Sequence, residues 1–443
     1  MNSQSKKMEL LGSASIPKAL LAMGIPTMIG MLVNAFYNLV DAYFVGGLGE
    51  SQMGAISVVY PLGQVVVGLG LLFGNGAASY ISRLLGRGDK ENADKVASTA
   101  LYSSVSVGAV IIIISMVFLH PILKLLGATD SILPYAATYA GIYIVSCIFN
   151  VFNVTMNNIV TSEGAAKTTM CALLTGAVLN IALDPLFIYV FDLGVAGAAI
   201  ATAISQVVST CVYLTYIFRK KSVFHFRVKD CTYTKETMSE IFKIGIPTLV
   251  FQILTSVSIS LINNAAGDYG DSAIAGMGVV TRLISMGSLS VFGFIKGFQP
   301  IAGYSYGAKK FDRLREAIKT SILWSTVFCV IFGVILALFP TAIVSRFTKG
   351  DAEMIRIGAA SLRANGISIM LFGFYTVYSS LFLALGKGRE GFILGACRQG
   401  ICFIPVILLL PIVWGLNGIM YAQPIADVLS AVITVFMAIP LHK

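Results

Sequence analysis

Charge is what this 443-residue chain has least of. Asp, Glu, Lys and Arg make up only 12% of it, about half the share of roughly 25% usual in soluble domains. Water is therefore not the solvent for most of its surface. Histidine occurs three times, at His120, His225 and His442, near the ends of apolar segments or between them. The seven cysteines, at 147, 171, 211, 231, 329, 397 and 402, contain no CxxC and fall mostly inside apolar runs. They read as packing residues, with no zinc signature, disulfide or metal centre expected. No glycine pattern follows a strand-like segment, which argues against a nucleotide-binding loop. No nucleophile–base set or metal cluster stands within the apolar segments. The chain is therefore expected not to be an enzyme, and no cofactor is expected.

What is present in abundance is apolar length, with 56% of residues hydrophobic. Residues 131–162, 321–339 and 399–426 carry no charge at all. Each run is long enough to cross a hydrocarbon core of about 30 Å as a helix. The stretch from Ile16 to Gly46 is too long for a cleavable signal and lacks a small-residue cut site; it reads as the first membrane helix. Twelve spans are expected, at about 16–45, 52–82, 96–119, 131–157, 165–190, 195–218, 239–266, 272–303, 317–340, 355–384, 391–413 and 416–440.

The net charge of +10 is explained by its placement, and no nucleic-acid partner is expected. Basic residues crowd alternate loops: Arg83, Arg87, Lys90 and Lys95; Arg219, Lys220, Lys221, Arg227, Lys229 and Lys235; Lys309, Lys310, Arg313, Arg315 and Lys319. The intervening loops are poor, with Lys124 alone between 119 and 134, and Arg346, Lys349 and Arg356 set against Asp351 and Glu353. Basic loops stay on the cytoplasmic side. The expectation is a multi-pass protein of the cell membrane, surrounded by lipid, with both termini cytoplasmic.

The chain also repeats itself. MGIPTMI at 23–29 returns as IGIPTLV at 244–250, and the same offset of 221 relates Gly46 to Gly267, Val58–Val59 to Val279–Val280, Gly86 to Gly307 and Gly197 to Gly418. The one long polar connection, 219–238, follows span six. This predicts an all-α membrane protein with an N-lobe (1–218), a linker (219–238) and a C-lobe (239–443). With six spans each, both lobes enter from the same side, so a pseudo-two-fold axis along the membrane normal relates them. That is a plan of many secondary transporters that work by rocking their lobes.

Ionisable groups inside a span cost roughly 2.5–3.5 kcal/mol each at the bilayer centre. Asp41 and Asp184 therefore demand a reason. Counting back from the glycines that end spans one and five puts both in the outer half of the membrane at similar depth, with Thr202 and Tyr139 in the same layer. Tyr37 and Asp41, Asn180 and Asp184, and Ala198 and Thr202 are i,i+4 pairs, each on one helix face. Pro185 cannot donate to the carbonyl of Ile181, which is left for a ligand or water. Two carboxylates, an amide, a hydroxyl and free carbonyls suit a small hard cation; forced together, the acids would hold a proton instead. At the 221 offset Asp41 maps to Ile262 and Asp184 to Pro405, so the scaffold does not require the pair. Interhelical glue is the structural alternative.

These residues resemble the multidrug and toxic compound extrusion (MATE) transporters along essentially the whole chain. The carriers are GIPT at 24–27, Tyr37 and Asp41, NIALDP at 180–185, GAAIAT at 197–202, and GFIKGFQPIAGYSYGAK at 293–309. The resemblance is closest to the prokaryotic branch that includes the DinF-like and MepA-like drug exporters. It implies a cation site formed by Asp41, Asn180, Asp184, Thr202 and the backbone of Ala198, supported by Tyr37 and Tyr139, with span one bending at Pro26. It also implies that Asn34 and Asn157 face a central substrate cavity. Other branches carry an acid in span seven where this chain has Gln252, so no second cation site is expected there, and Gln252 is assigned to the cavity. In the second half, Arg282, Lys296, Arg398 and Asp427 stand in or near spans. Asp427 is expected to pair with Arg398 or Lys296; if it faces the cavity instead, it attracts cationic cargo. The resulting expectation is an antiporter, acting as a monomer, that exports small amphipathic organic cations in exchange for H+ or Na+. The alternative is a flippase for lipid-linked saccharides of the same superfamily, for which Arg282, Lys296 and Arg398 would supply the positive cleft.

Overall fold

A computed structural model describes residues 3–347 and 350–439; Lys349 and His442 lie outside them. Twelve helices in that range are long and apolar enough to cross a membrane. Spans one to six run Ile16–Gly46, Gly54–Gly86, Lys90–Val117, Leu133–Ser162, Ala166–Val190 and Gly194–Phe218. Spans seven to twelve run Lys235–Gly267, Ser272–Gly307, Phe311–Leu338, Ala352–Ala384, Gly388–Trp414 and Leu416–Ala438. No strand occurs among the described residues.

Several spans begin before the apolar run does. Span three starts at Lys90 because the Asp89 carboxylate accepts the Asn92 N–H at 3.1 Å, and span seven starts at Lys235 because the Thr234 hydroxyl accepts the Thr237 N–H at 3.3 Å. Such caps let a helix extend through a charged first turn, which hydropathy alone reads as loop. Short helices at Ser3–Gly12, Leu119–Leu125 and Pro340–Val344 were also not expected, since one or two turns leave no readable period.

The lobes meet through glycines related by the 221 offset. A side chain on Gly86 would strike the Tyr304 carbonyl at 2.2 Å, and one on Gly307 would strike the Arg83 carbonyl at 2.1 Å. Here 86 and 307 are equivalent, as are 83 and 304, so the contact is its own two-fold image. Further along, a side chain on Gly76 would lie 2.2 Å from the Ile241 carbonyl, and one on its equivalent, Gly297, would lie 2.5 Å from the Gly24 nitrogen, so the repeated glycine meets the opposite lobe in both halves. Only glycine lets the backbones approach this closely. All of these contacts lie in the half of the molecule that carries the basic loops, the basic end. Toward the far end, Gly46, Gly267 and Gly278 have open space where a side chain would stand.

A polar brace adds to the seal. The Arg83 guanidinium reaches the Glu240 carboxylate across the lobes at 2.6 Å, and the Ser79 hydroxyl donates to the Leu383 carbonyl at 2.5 Å. The Ser3–Gly12 helix lies beneath both lobes. Its Lys7 ammonium donates to the Glu163 carboxylate at 3.3 Å and to the Lys221 carbonyl at 2.5 Å, and it also bonds the Tyr216 hydroxyl. At its other end Lys310 donates to the Gly12 carbonyl at 2.8 Å, and Arg313 to the carbonyls of Leu10, Leu11 and Ala14. Burial pushes the Glu163 carboxyl above, and the Lys7 amine below, its ordinary value, with their mutual attraction opposing both.

Candidate functional site

Span five is where the local sequence departs from a plain helix. It is α-helical through Pro185 and then widens to a π turn over Leu186–Val190, closed by Phe191 N–H donating to the Leu186 carbonyl at 2.9 Å. Proline cannot donate to the preceding turn, and the widened turn absorbs the missing bond. Gly197 of span six fits against this turn, since a side chain there would lie 2.6 Å from the Phe187 carbonyl. The Gln52 side chain accepts the Val195 N–H at 3.0 Å, capping span six from span two. Together these contacts hold spans five and six at a fixed phase.

That phase brings the predicted residues to one place. The Asn180 amide donates to Asp184 Oδ1 at 3.3 Å and lies 3.5 Å from the Thr202 hydroxyl. Asp184 and Asn180 are 0% and 1% exposed. The Asp41 carboxyl of span one faces that of Asp184 within hydrogen-bonding reach. Tyr37 stands close to both acids and Tyr139 close to Asp41, the latter ring stacked on Tyr143 at 5.5 Å. Three oxygens are buried here without a hydrogen-bond partner: Asp41 Oδ1, Asn180 Oδ1 and Asp184 Oδ2. An unmet acceptor in a low-dielectric site is costly, and oxygens of this kind have the chemistry that hard cations and protons take up. Ala198 is buried beside them at 1% exposure. Pro26 lies inside span one, two residues from Gly24, whose surface is pressed against Phe294.

The C-lobe differs at every equivalent point. Asp427 is 1% exposed. Its carboxylate accepts from Arg398 at 3.0 Å, Gln423 at 2.9 Å and Ser368 at 2.9 Å. Arg398 also lies over the Phe372 ring, 4.6 Å from its centroid. The expected pairing of Asp427 thus falls to Arg398, and no oxygen of Asp427 is left over. Ser368 and Gln423 were not anticipated, because nothing in their local sequence marks them. Arg398 is aimed by another π turn, Cys397–Ile401 in span eleven. At the offset of 221, Gln423 stands where Thr202 stands and Asp427 where Gln206 stands. Arg282 is exposed.

A cavity of about 460 Å3 opens mainly in the C-lobe, between spans seven, eight, ten, eleven and twelve. The N-lobe contributes only Met31, Leu71, Asn75 and Asn158 to its wall. Gln252 lines it, as expected. Asp427 does not, being used up by its three partners. Asn157 also faces elsewhere: its amide donates to Tyr213 at 3.3 Å and its carbonyl oxygen accepts from Lys296. The neighbouring Asn158 is the one that reaches the cavity. Asn34 accepts from Asn38 one turn on, at 2.8 Å and 3.0 Å, and is not part of the wall.

A duplicated six-span bundle with a central cavity and one polarised lobe defines a multi-pass membrane protein of the transporter class. The MatE family model matches residues 26–186 and 247–409, the two lobes in turn, and the chain belongs to that family. It is 32% identical over 415 residues to the multidrug export protein MepA of Staphylococcus aureus, covering 94% of this chain and 91% of the relative. Among solved structures it is similar to the outward-facing conformation of a multidrug resistance MATE transporter, with 27% identity, a TM-score of 0.92, and coverage of 98% and 97%. A transporter of the MOP superfamily from Pyrococcus furiosus, described as having a binding pocket of reverse polarity, matches with 27% identity, a TM-score of 0.90 and the same coverage.

Proposed function

We propose that this protein is a multidrug exporter that moves small amphipathic organic compounds, organic cations among them, in exchange for H+ or Na+. It is read as a monomer in the cell membrane, with the basic end and both termini cytoplasmic. The observation that carries the coupling role is the set of three unsatisfied oxygens on Asp41, Asn180 and Asp184. Buried oxygens are normally satisfied, and the equivalent C-lobe positions hold none of this chemistry.

The cycle follows from linkage. With the basic end sealed by its glycine contacts, the cavity faces outward. An ion entering the Asp41–Asp184 site cancels the repulsion between two facing carboxylates and draws span one, spans five and six together. Span one carries Pro26 next to the lobe contact at Gly24, so a change of its bend reaches the seal directly. The cation and the cargo favour different conformations, and each therefore weakens the other's binding by the same factor. The names of the MepA relatives, multidrug export proteins, support the drug cargo.

Efflux from inverted vesicles under separately imposed pH and Na+ gradients, across a panel of cationic dyes, tests this reading. One gradient should drive dye movement in the wild type and neither should do so in Asp184→Asn. Undiminished ion-driven transport by both Asp184→Asn and Asp41→Asn would falsify the coupling role. A second reading, a flippase for lipid-linked saccharides, is favoured by one observation, the lysine in the cavity wall.

A further inference from the structure

The charge census of the cavity is one-sided. Among the described residues that line it, the charged ones are Lys296 and Arg398, with no Asp or Glu. The charge of Arg398 is matched by Asp427 behind the wall. Lys296 has no such match: its ammonium bonds the neutral carbonyl oxygen of Asn157, and no ion pair joins it to a carboxylate among the described residues. The cavity therefore carries a net fixed charge of one positive unit. Around Lys296 stand the neutral donors of Asn75, Asn158 and Gln299. The rest of the wall mixes apolar side chains, Phe251, Phe292 and Ile259 among them, with neutral hydroxyls such as those of Thr255 and Ser285.

We propose that Lys296 is the head-group site of this cavity, and that it takes amphiphiles bearing a carboxylate, phosphate or sulfonate. The inference rests on the cavity being the cargo site of the proposed exporter. A polar floor with one ammonium and several amide donors satisfies an anionic oxygen group. Apolar side chains elsewhere in the wall, Phe251 and Phe292 among them, accept the hydrocarbon body, and the cavity ranks a monocation of the same body below the anion without refusing it. The site also has a mechanical consequence. The Lys296–Asn157 bond joins span eight of the C-lobe to span four of the N-lobe. A bound anion competes for the ammonium, so loading the head-group site removes a bond that ties the lobes together.

The test uses the full-length protein in nanodiscs of phosphatidylcholine, with no ion gradient, so its outcome does not depend on which ion is coupled. Equilibrium dialysis is performed with three probes sharing one apolar body: pyrenebutyrate, pyrenebutanol and pyrenebutylammonium. Empty nanodiscs give the background. Wild type should bind the butyrate about tenfold or more tightly than the ammonium, the scale of one charge-assisted contact. Lys296→Met should erase that preference while keeping affinity for the alcohol, and Lys296→Arg should preserve it. Should Lys296→Met fail to fold, Asn157→Asp tests the same point from behind the wall, because a carboxylate there neutralises the ammonium and should also erase the preference. A preference in Lys296→Met or Asn157→Asp equal to that of wild type, or tighter binding of the ammonium by wild type, overturns the proposal. Phosphatidylglycerol added to the nanodiscs separates the sources. Displacement of pyrenebutyrate from wild type, but not of the residual binding that remains in Lys296→Met, assigns the head group to lipid; no displacement from wild type assigns it to free amphiphiles. Either result requires the same Lys296 chemistry.

Discussion

The two lobes share a scaffold and handle buried charge in opposite ways. In the C-lobe an acid, Asp427, is surrounded by Arg398, Gln423 and Ser368, so that the acid and the guanidinium each have a partner. In the N-lobe two acids face each other without an ion pair among the described residues, and with the Asn180 amide they leave three oxygens unmet. A satisfied network holds helices together, whereas an unsatisfied one leaves a desolvation cost unpaid. The duplication makes this more than a general contrast, because each site has an unlike equivalent in the other lobe. Ile262 and Pro405 show that the bundle packs without the acids. Gln206 shows that it packs without the ion pair.

The comparison is broken most severely by changing the N-lobe acids. Asp184→Asn should reduce ion-driven efflux to the background of empty vesicles. The apparent melting temperature of the purified protein should hold or rise, since an amide removes the cost of a buried carboxylate. In the C-lobe the order reverses. Arg398→Met strands the Asp427 carboxylate and should cost about 3–5 kcal/mol, read as a lowered thermal midpoint. Adding Asp427→Asn should recover most of it, and lack of recovery would show that packing of Arg398 on Phe372 matters more than its charge.

Smaller effects sharpen the role of the seal between the lobes. Gly297→Leu has no room against the Gly24 backbone and should hold the basic end apart. Modification of a cysteine introduced at Ile241 by a membrane-impermeant reagent in inverted vesicles should then rise several-fold. Lys7→Met removes the N-lobe anchor of the first short helix but leaves the glycine contacts. Labelling at the same cysteine should rise less than for Gly297→Leu. Equal labelling in the two variants would show that the helix, and not the glycines, keeps the end closed.

Much of the N-lobe site was readable from the chain. Asn180 and Asp184 share a helix face by spacing alone, and Pro185 marks the place where the helix must change. The depth of Asp41 follows from its distance to the glycines at the end of span one. The C-lobe was harder to read. Asp427 and Arg398 were visible as charges that needed partners, but Ser368 lies 59 residues from Asp427 and carries no mark in its own sequence. Asn157 and Asn158 differ by one position, or about 100° of helix rotation, and only one of them faces the cavity.

The sequence by itself determined the twelve apolar spans, the internal repeat at an offset of 221 and the shared helix face of Asn180 and Asp184. These follow from hydrophobic length, internal identity and the period of a helix, all of which are local quantities. The tertiary structure decided which oxygens are left unmet, which charge Asp427 takes as its partner, and why Lys296 stands without one. Those outcomes depend on the rotational phase of helices far apart in the chain. Phase is set by backbones meeting at Gly86, Gly197 and Gly297, where the absence of a side chain only acquires meaning once the neighbour is in place.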